Sequence, residues 1–393
     1  MKKTLIALAA FAASASYAQS TVTIAGQLDG GFGSTTNTAG ISAPNITSGF
    51  YGANRLRFVG TEDLGGGNKA NFTLDMQLSL LGGTSGNGLF NCGAWLGMSG
   101  ASWGELRLGR QGTLSAATIC SLDLFGCYGG FGAGGVLLGG TANAATAANG
   151  AANWFAANPS RGGAGYALST VGGGFSGLTP AAAGTTQVVA AAISTTPSAD
   201  PTRVVNAVTY SSPSYSGFSA ALQYAFGGTA NATTSTTDGA TSAVQVNYVA
   251  GPIWASLAVQ NAAGTAASPA TGSTTTLGAN YDFGIAKIGF GMQKETGSGP
   301  GIAFADGTAL AIVVAGNFGA VTPYLRFGNR TESGGVRVGT ETVSQVTNLG
   351  VTYALSKRTK LYADYSVDTQ PLSRVPAATT SPSQFGVGIQ HTF

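Results

Sequence analysis

Segment after segment of this chain alternates apolar and polar residues, and that leaves few ways for it to fold. From Asn71 to Leu80 every even-numbered residue is apolar and every odd one polar. Lys360 to Asp368 sets Leu361, Ala363, Tyr365 and Val367 against Lys360, Tyr362, Asp364, Ser366 and Asp368. The C-terminus does the same, with Phe385, Val387, Ile389 and Phe393 against Gln384, Gly386, Gly388, Gln390 and Thr392. Successive side chains of a strand point to opposite faces, so these segments are strands with one apolar face. No stretch approaches the roughly 20 apolar residues that a spanning helix needs. Alternation alone fits a sandwich and a membrane barrel equally well.

Strand count and charge separate the two. Sixteen strands are expected near residues 20–33, 53–61, 69–81, 93–99, 104–111, 203–211, 218–227, 241–250, 253–261, 273–282, 286–294, 307–317, 321–329, 344–354, 359–368 and 383–393. Every second connection is short, such as Gly251-Pro252 or Phe283 to Ile285, and those between are longer and rich in Gly, Thr, Ser and Asn. An even strand number with short turns at one end and long loops at the other is the layout of an outer-membrane barrel. Closure also leaves no strand edge unpaired, as lipid requires. Charged residues make up 8% of the chain, against about 25% in soluble domains. Disorder is excluded by 19 Phe, 13 Tyr and 4 Trp. The fold class is therefore all-β, a transmembrane antiparallel β-barrel of sixteen strands.

The N-terminus predicts a compartment. Met1-Lys2-Lys3, the apolar stretch Leu5 to Ala13 and the small residues of Ser16-Tyr17-Ala18 read as a secretory signal peptide over 1–18, cut after Ala18. Residues 19–393 then form one barrel domain, and without Lys2 and Lys3 the 18 basic residues fall to 16 against 15 acidic ones. A net charge of about +1 offers none of the concentrated basic surface that nucleic-acid binding needs. One connection is out of scale, a loop over about 112–202 that is expected to fold partly into the lumen. From Leu124 to Ala199 it carries a single charged residue, Arg161.

Parity assigns charges to the lumen. Leu56 and Phe58 face outward, so Arg55 and Arg57 face inward; Leu106 and Leu108 likewise put Arg107 inside. Arg110 falls on the outward parity unless a bulge intervenes. Asp29 and Asp75 face the lumen and could offset the arginines. Enzymatic readings fail: the only His, His391, sits in the terminal strand with nothing to build a triad around. It offers no metal site either, and no cofactor is expected.

The motifs also resemble a family. Gln19-Ser-Thr-Val-Thr-Ile-Ala-Gly-Gln-Leu-Asp29 is similar to the first strand of the general porins of Gram-negative bacteria, β-proteobacterial branch. Asn54-Arg-Leu-Arg-Phe-Val-Gly-Thr-Glu-Asp-Leu-Gly-Gly-Gly67 resembles their second strand and first periplasmic turn. Gly104-Glu-Leu-Arg-Leu-Gly-Arg-Gln111 resembles the strand that launches the constriction loop. Tyr210 to Phe218 and Tyr353 to Tyr362 resemble later periplasmic turns, and the chain ends in Phe393, as such porins do. The resemblance implies a homotrimer in outer-membrane lipid, with the third extracellular loop folded inward as an eyelet. It further implies passive diffusion of small hydrophilic solutes, and recognition of Phe393 by the outer-membrane assembly machinery. It makes Arg55, Arg110 and Arg203 the basic wall of the constriction; Arg57 stands where the family more often has Gly. Asp123 is the carboxylate that the constriction loop offers against that wall.

Rings of Arg favour anions in a narrow throat, so a mild anion preference is expected. Cys120 and Cys127 lie in this same loop, where a bridge would stiffen the eyelet; Cys92 pairing with a loop cysteine is the alternative. Two further functional readings stay open at this level. One is a substrate-specific channel for weakly charged solutes, which the neutral loops would suit. The other is a surface adhesin-like barrel protein.

Overall fold

The structure, a computed structural model, describes residues 20–36, 40–85, 89–123, 202–226, 240–263, 271–298, 306–333, 340–369, 381 and 383–393. The signal peptide assigned to 1–18, Cys127 and most of the loop assigned to 112–202 lie outside the described residues. The strands are β1 (Thr21–Thr36), β2 (Ser42–Ser48), β3 (Arg55–Gly65), β4 (Asn68–Gln77), β5 (Gly93–Gly100) and β6 (Gly104–Gly112). There follow β7 (Arg203–Ser211), β8 (Phe218–Ala225), β9 (Thr241–Ala250), β10 (Ile253–Ala262), β11 (Thr271–Asp282) and β12 (Ala286–Ser298). The last are β13 (Asp306–Gly316), β14 (Val321–Ser333), β15 (Thr340–Ala354), β16 (Thr359–Asp368) and β17 (Ser383–Thr392). Among the described residues, one helix, α1 (Leu114–Leu122), follows β6.

All pairings are antiparallel, from β3 onward between chain neighbours, and β17 returns to β1, with Gln27 opposite Thr392. Phe393 completes the seam by exchanging main-chain hydrogen bonds with Gly26 at 3.0 and 3.1 Å. Seventeen segments fill sixteen places, because β2 and β3 both pair with β1, over Gly30–Thr36 and Thr21–Gln27 respectively. They are one barrel strand interrupted at Gly49–Asn54. The closed sixteen-strand barrel expected from alternation is thus present, with one interruption that alternation did not reveal.

The two faces of the sheet separate by parity. Outward positions form an exposed apolar band that includes Ile24, Leu96, Leu108, Val246, Leu257, Ile312, Leu349 and Val387. Toward the short-turn end, outward aromatics cluster, as in Phe218–Tyr248 (ring centroids 4.6 Å apart) and Tyr281–Phe283 (4.5 Å); Tyr224–Phe226 does so at the other end (4.9 Å). An apolar band between aromatic girdles is what a lipid-embedded barrel shows. Inward positions are polar or small: Gln245, Ser256, Gln260, Thr276, Gln293 and Asn348 alternate with Ala258, Ala309, Ala311 and Gly278. His391 is exposed on the outer face, and its Nδ1 lies 2.8 Å from the Thr359 hydroxyl.

Candidate pore constriction

The long connection enters the lumen as α1. Thr113 caps the helix, its Oγ1 accepting from the Ala116 N–H (3.2 Å), while its own N–H donates to the Thr202 carbonyl (2.9 Å). That second bond ties the two ends of the connection together. The small inward residues of the barrel provide the seat. A Cβ on Gly278 would come within 3.2 Å of Thr118 Cγ2, and one on Gly289 within 2.8 Å of Leu122 Cδ1. Glycine at these points lets the helix lie directly on β11 and β12. Thr118 Oγ1 sits 2.9 Å from Ser256 Oγ and accepts from Gln245 Nε2 at 2.9 Å, a buried polar clamp. Ala116, Ile119 and Leu122 are fully buried against the wall, whereas Ala117 points into open space.

Across that space stands the wall built from β3 to β7. One open recess is lined by Thr113, Ala117 and Cys120 of the helix side and by Arg55, Arg57, Asp75, Trp95, Gln111 and Arg203 of the wall side, among others. Arg55 Nη1 and Arg57 Nε both donate to Asp75 Oδ2, at 3.0 and 2.9 Å. Arg203 is buried; its Nε donates to the Cys92 carbonyl (2.6 Å) and its Nη1 to Thr202. Arg107 stacks on the Trp95 ring, 4.4 Å from the centroid, and bonds Glu105 at 2.5 Å. Two of the three guanidiniums of the recess therefore share its single carboxylate, and the wall faces an uncharged helix side.

The structure redistributes several expected site residues. The register of β6 against β7 shifts between Gly109 and Gln111, which is the bulge Arg110 required. Gly109 is obligatory there, with φ of 127° and a missing Cβ that would meet the Ala94 carbonyl oxygen at 2.3 Å. Arg110 nonetheless donates through Nε to the Asn91 carbonyl (2.6 Å), and it is Gln111 of this strand that lines the recess. Asp123 does not face the arginine wall of β3 to β7: its carboxylate is buried, 3.3 Å from Arg326 Nε on β14. Asp29 is fully buried as well. Its carboxylate accepts from the N–H groups of Phe50 (3.0 Å), Tyr51 (3.4 Å) and Gly52 (3.0 Å) and from the Tyr362 hydroxyl (3.0 Å). It organises the backbone of the interruption instead of offsetting the wall. Asp75 is the carboxylate that offsets it. Cys120 is disulfide-bonded, and the second cysteine expected of its loop, Cys127, lies outside the described residues.

Arg326, Arg330, Glu295 and Asp364 were missed as lumen charges. They form buried groups on β12 to β16, with Arg330 Nη2 bonding Glu295 Oε2 at 2.6 Å and Asp364 accepting from Tyr324 and Asn348. Parity would have found them, since Leu325 and Phe327 face outward between Tyr324, Arg326 and Arg330.

A closed barrel with an apolar outer band, a polar lumen and a helix laid on its inner wall defines a membrane channel. Comparisons with known proteins agree. A model of the Gram-negative porin family matches residues 4–370. Outer membrane porin protein 32 of Delftia acidovorans is 30% identical over 305 residues, covering 75% of this chain and 70% of its own. Among solved structures, an anion-selective porin from Comamonas acidovorans superposes with a TM-score of 0.67 at 22% identity, over 95% of this chain and 100% of that one. OmpT of Vibrio cholerae in its trimer form gives 0.60 at 15% identity, over 96% and 100%. The chain belongs to the Gram-negative porin family. It is an outer-membrane diffusion channel.

Proposed function

We propose that this channel passes small hydrophilic solutes with a mild preference for anions, and that the recess between α1 and the arginine wall is its constriction. The observation that carries the reading is the charge of that recess: Arg55, Arg57 and Arg203 against Asp75, opposite an uncharged helix side. In a narrow throat bordered by protein, fixed charges act through a lower effective dielectric than in bulk water. A net positive wall then concentrates anions and repels cations. The anion-selective solved relative supports this direction. The trimer form of another solved porin structure supports a homotrimer. In this reading residues 1–18 direct secretion, and Phe393, held at the barrel seam, is the assembly signal.

Reversal potential in planar bilayers across a KCl gradient tests the proposal. The expected result is the sign of chloride preference, with conductance rising in steps of three as trimers insert. Clear potassium selectivity overturns it.

A further inference from the structure

We propose that the inward turn 49–54 is a buttress that positions α1 and so sets the width of the passage; this rests on the reading of α1 as the constriction. Six residues of this strand stand opposite only Leu28 and Asp29 of β1, so the surplus must leave the sheet. It goes inward. Asp29 gathers three N–H groups of the turn, and Gln27 Nε2 fixes the Ala53 carbonyl at 2.8 Å. The turn thereby holds Tyr51 in one place.

Tyr51 lies at the start of a continuous contact chain to the helix. It stacks on Tyr362 (centroids 5.2 Å apart, planes at 24°) and abuts Tyr324 at 6.1 Å. The guanidinium of Arg326 lies 4.9 Å from the Tyr324 ring centroid, and Arg326 in turn pairs with Asp123, the residue that ends α1. Phe50 and Tyr51 also belong to the same buried apolar cluster as Ile119 and Leu122. The N-terminal half of the helix has its own clamp in Thr118, Ser256 and Gln245. Its C-terminal end leans on the Arg326 relay. Tyr51 and Asp29 are positioning residues, since neither lines the recess.

Single-channel recording tests this, because it reports only on barrels that have folded and inserted. Tyr51→Ala removes the ring and is expected to raise conductance roughly 1.5-fold and to add open-channel noise, as a loosened supporting shell would. Tyr51→Phe keeps the ring and is expected to behave as wild type. Arg326→Gln breaks the relay further along, so the double variant should show no more than the larger single effect. Conductance and noise unchanged in Tyr51→Ala, or additive effects in the double variant, overturn the buttress. Ala117→Trp fills the recess without touching the turn and must lower conductance. If it does so while Tyr51→Ala changes nothing, the buttress alone fails. If Ala117→Trp changes nothing, the constriction reading fails and takes the buttress with it.

Discussion

At the scale of single residues, selectivity turns on how many charges of the wall are matched. Asp75 serves both Arg55 and Arg57, so the three arginines and one carboxylate of the recess carry a net charge of +2. Asp75→Asn removes the only carboxylate among those lining residues and takes the recess to +3. Anion preference should increase, and more so at about 0.01 M salt, where the Debye length is roughly 30 Å, than at 1 M, where it is about 3 Å. Reversal potentials at the two salt levels check this; a shift toward cations would contradict it. That Arg55, Arg57, Arg107 and Asp75 face inward was legible in the sequence, because strict alternation fixes which face a side chain takes, although Arg107 does not line the recess. The roles of Asp29 and Asp123 were not. Parity says that a side chain points inward; it does not say that a turn of backbone, or an arginine from a strand 200 residues away, will be waiting for it.

Among the elements, α1 and the interruption of the second barrel strand decide the shape of the lumen. Fifteen of the sixteen barrel strands were readable nearly to their ends. In the sixteenth, Ser42–Ser48 was missed, since its one clear apolar residue, Ile46, shows no alternation to detect. The turn that follows is a surplus of backbone, which only pairing with β1 exposes. The helix was equally hidden. Leu114–Leu122 carries no charge, has hydroxyls on both faces and buries most of its surface, so it lacks the amphipathic stripe that marks a surface helix. Its seat makes a clear prediction. Gly289→Leu places a side chain where Leu122 now rests, and overpacking of this kind costs about 1–3 kcal/mol unless the neighbour moves. The helix can yield only toward the arginine wall, so single-channel conductance should fall. An unchanged or larger conductance would show that the helix does not border the passage at this point.

For the molecule as a whole, the scarcity of charge follows from where each face points. The outer band must be uncharged because it meets lipid, and the polar residues that remain are turned inward or toward the barrel ends. Leu257, exposed near the middle of β10, tests the depth of that band. Leu257→Arg should cost about 2–4 kcal/mol if the position lies at the bilayer midplane. Urea titration of the protein refolded into lipid vesicles would show the loss, and no loss would place Leu257 away from the hydrocarbon. In the proposed channel the wall of β3 to β7, and not the buried charges of β12 to β16, sets ion preference. The most direct measurement is the reversal potential of the combined Arg55→Gln, Arg57→Gln, Arg203→Gln channel in a KCl gradient at low salt, beside the wild type. Chloride preference should disappear or invert in that channel, because Asp75 is then left as the charge of the recess. Chloride preference equal to that of the wild type would contradict it.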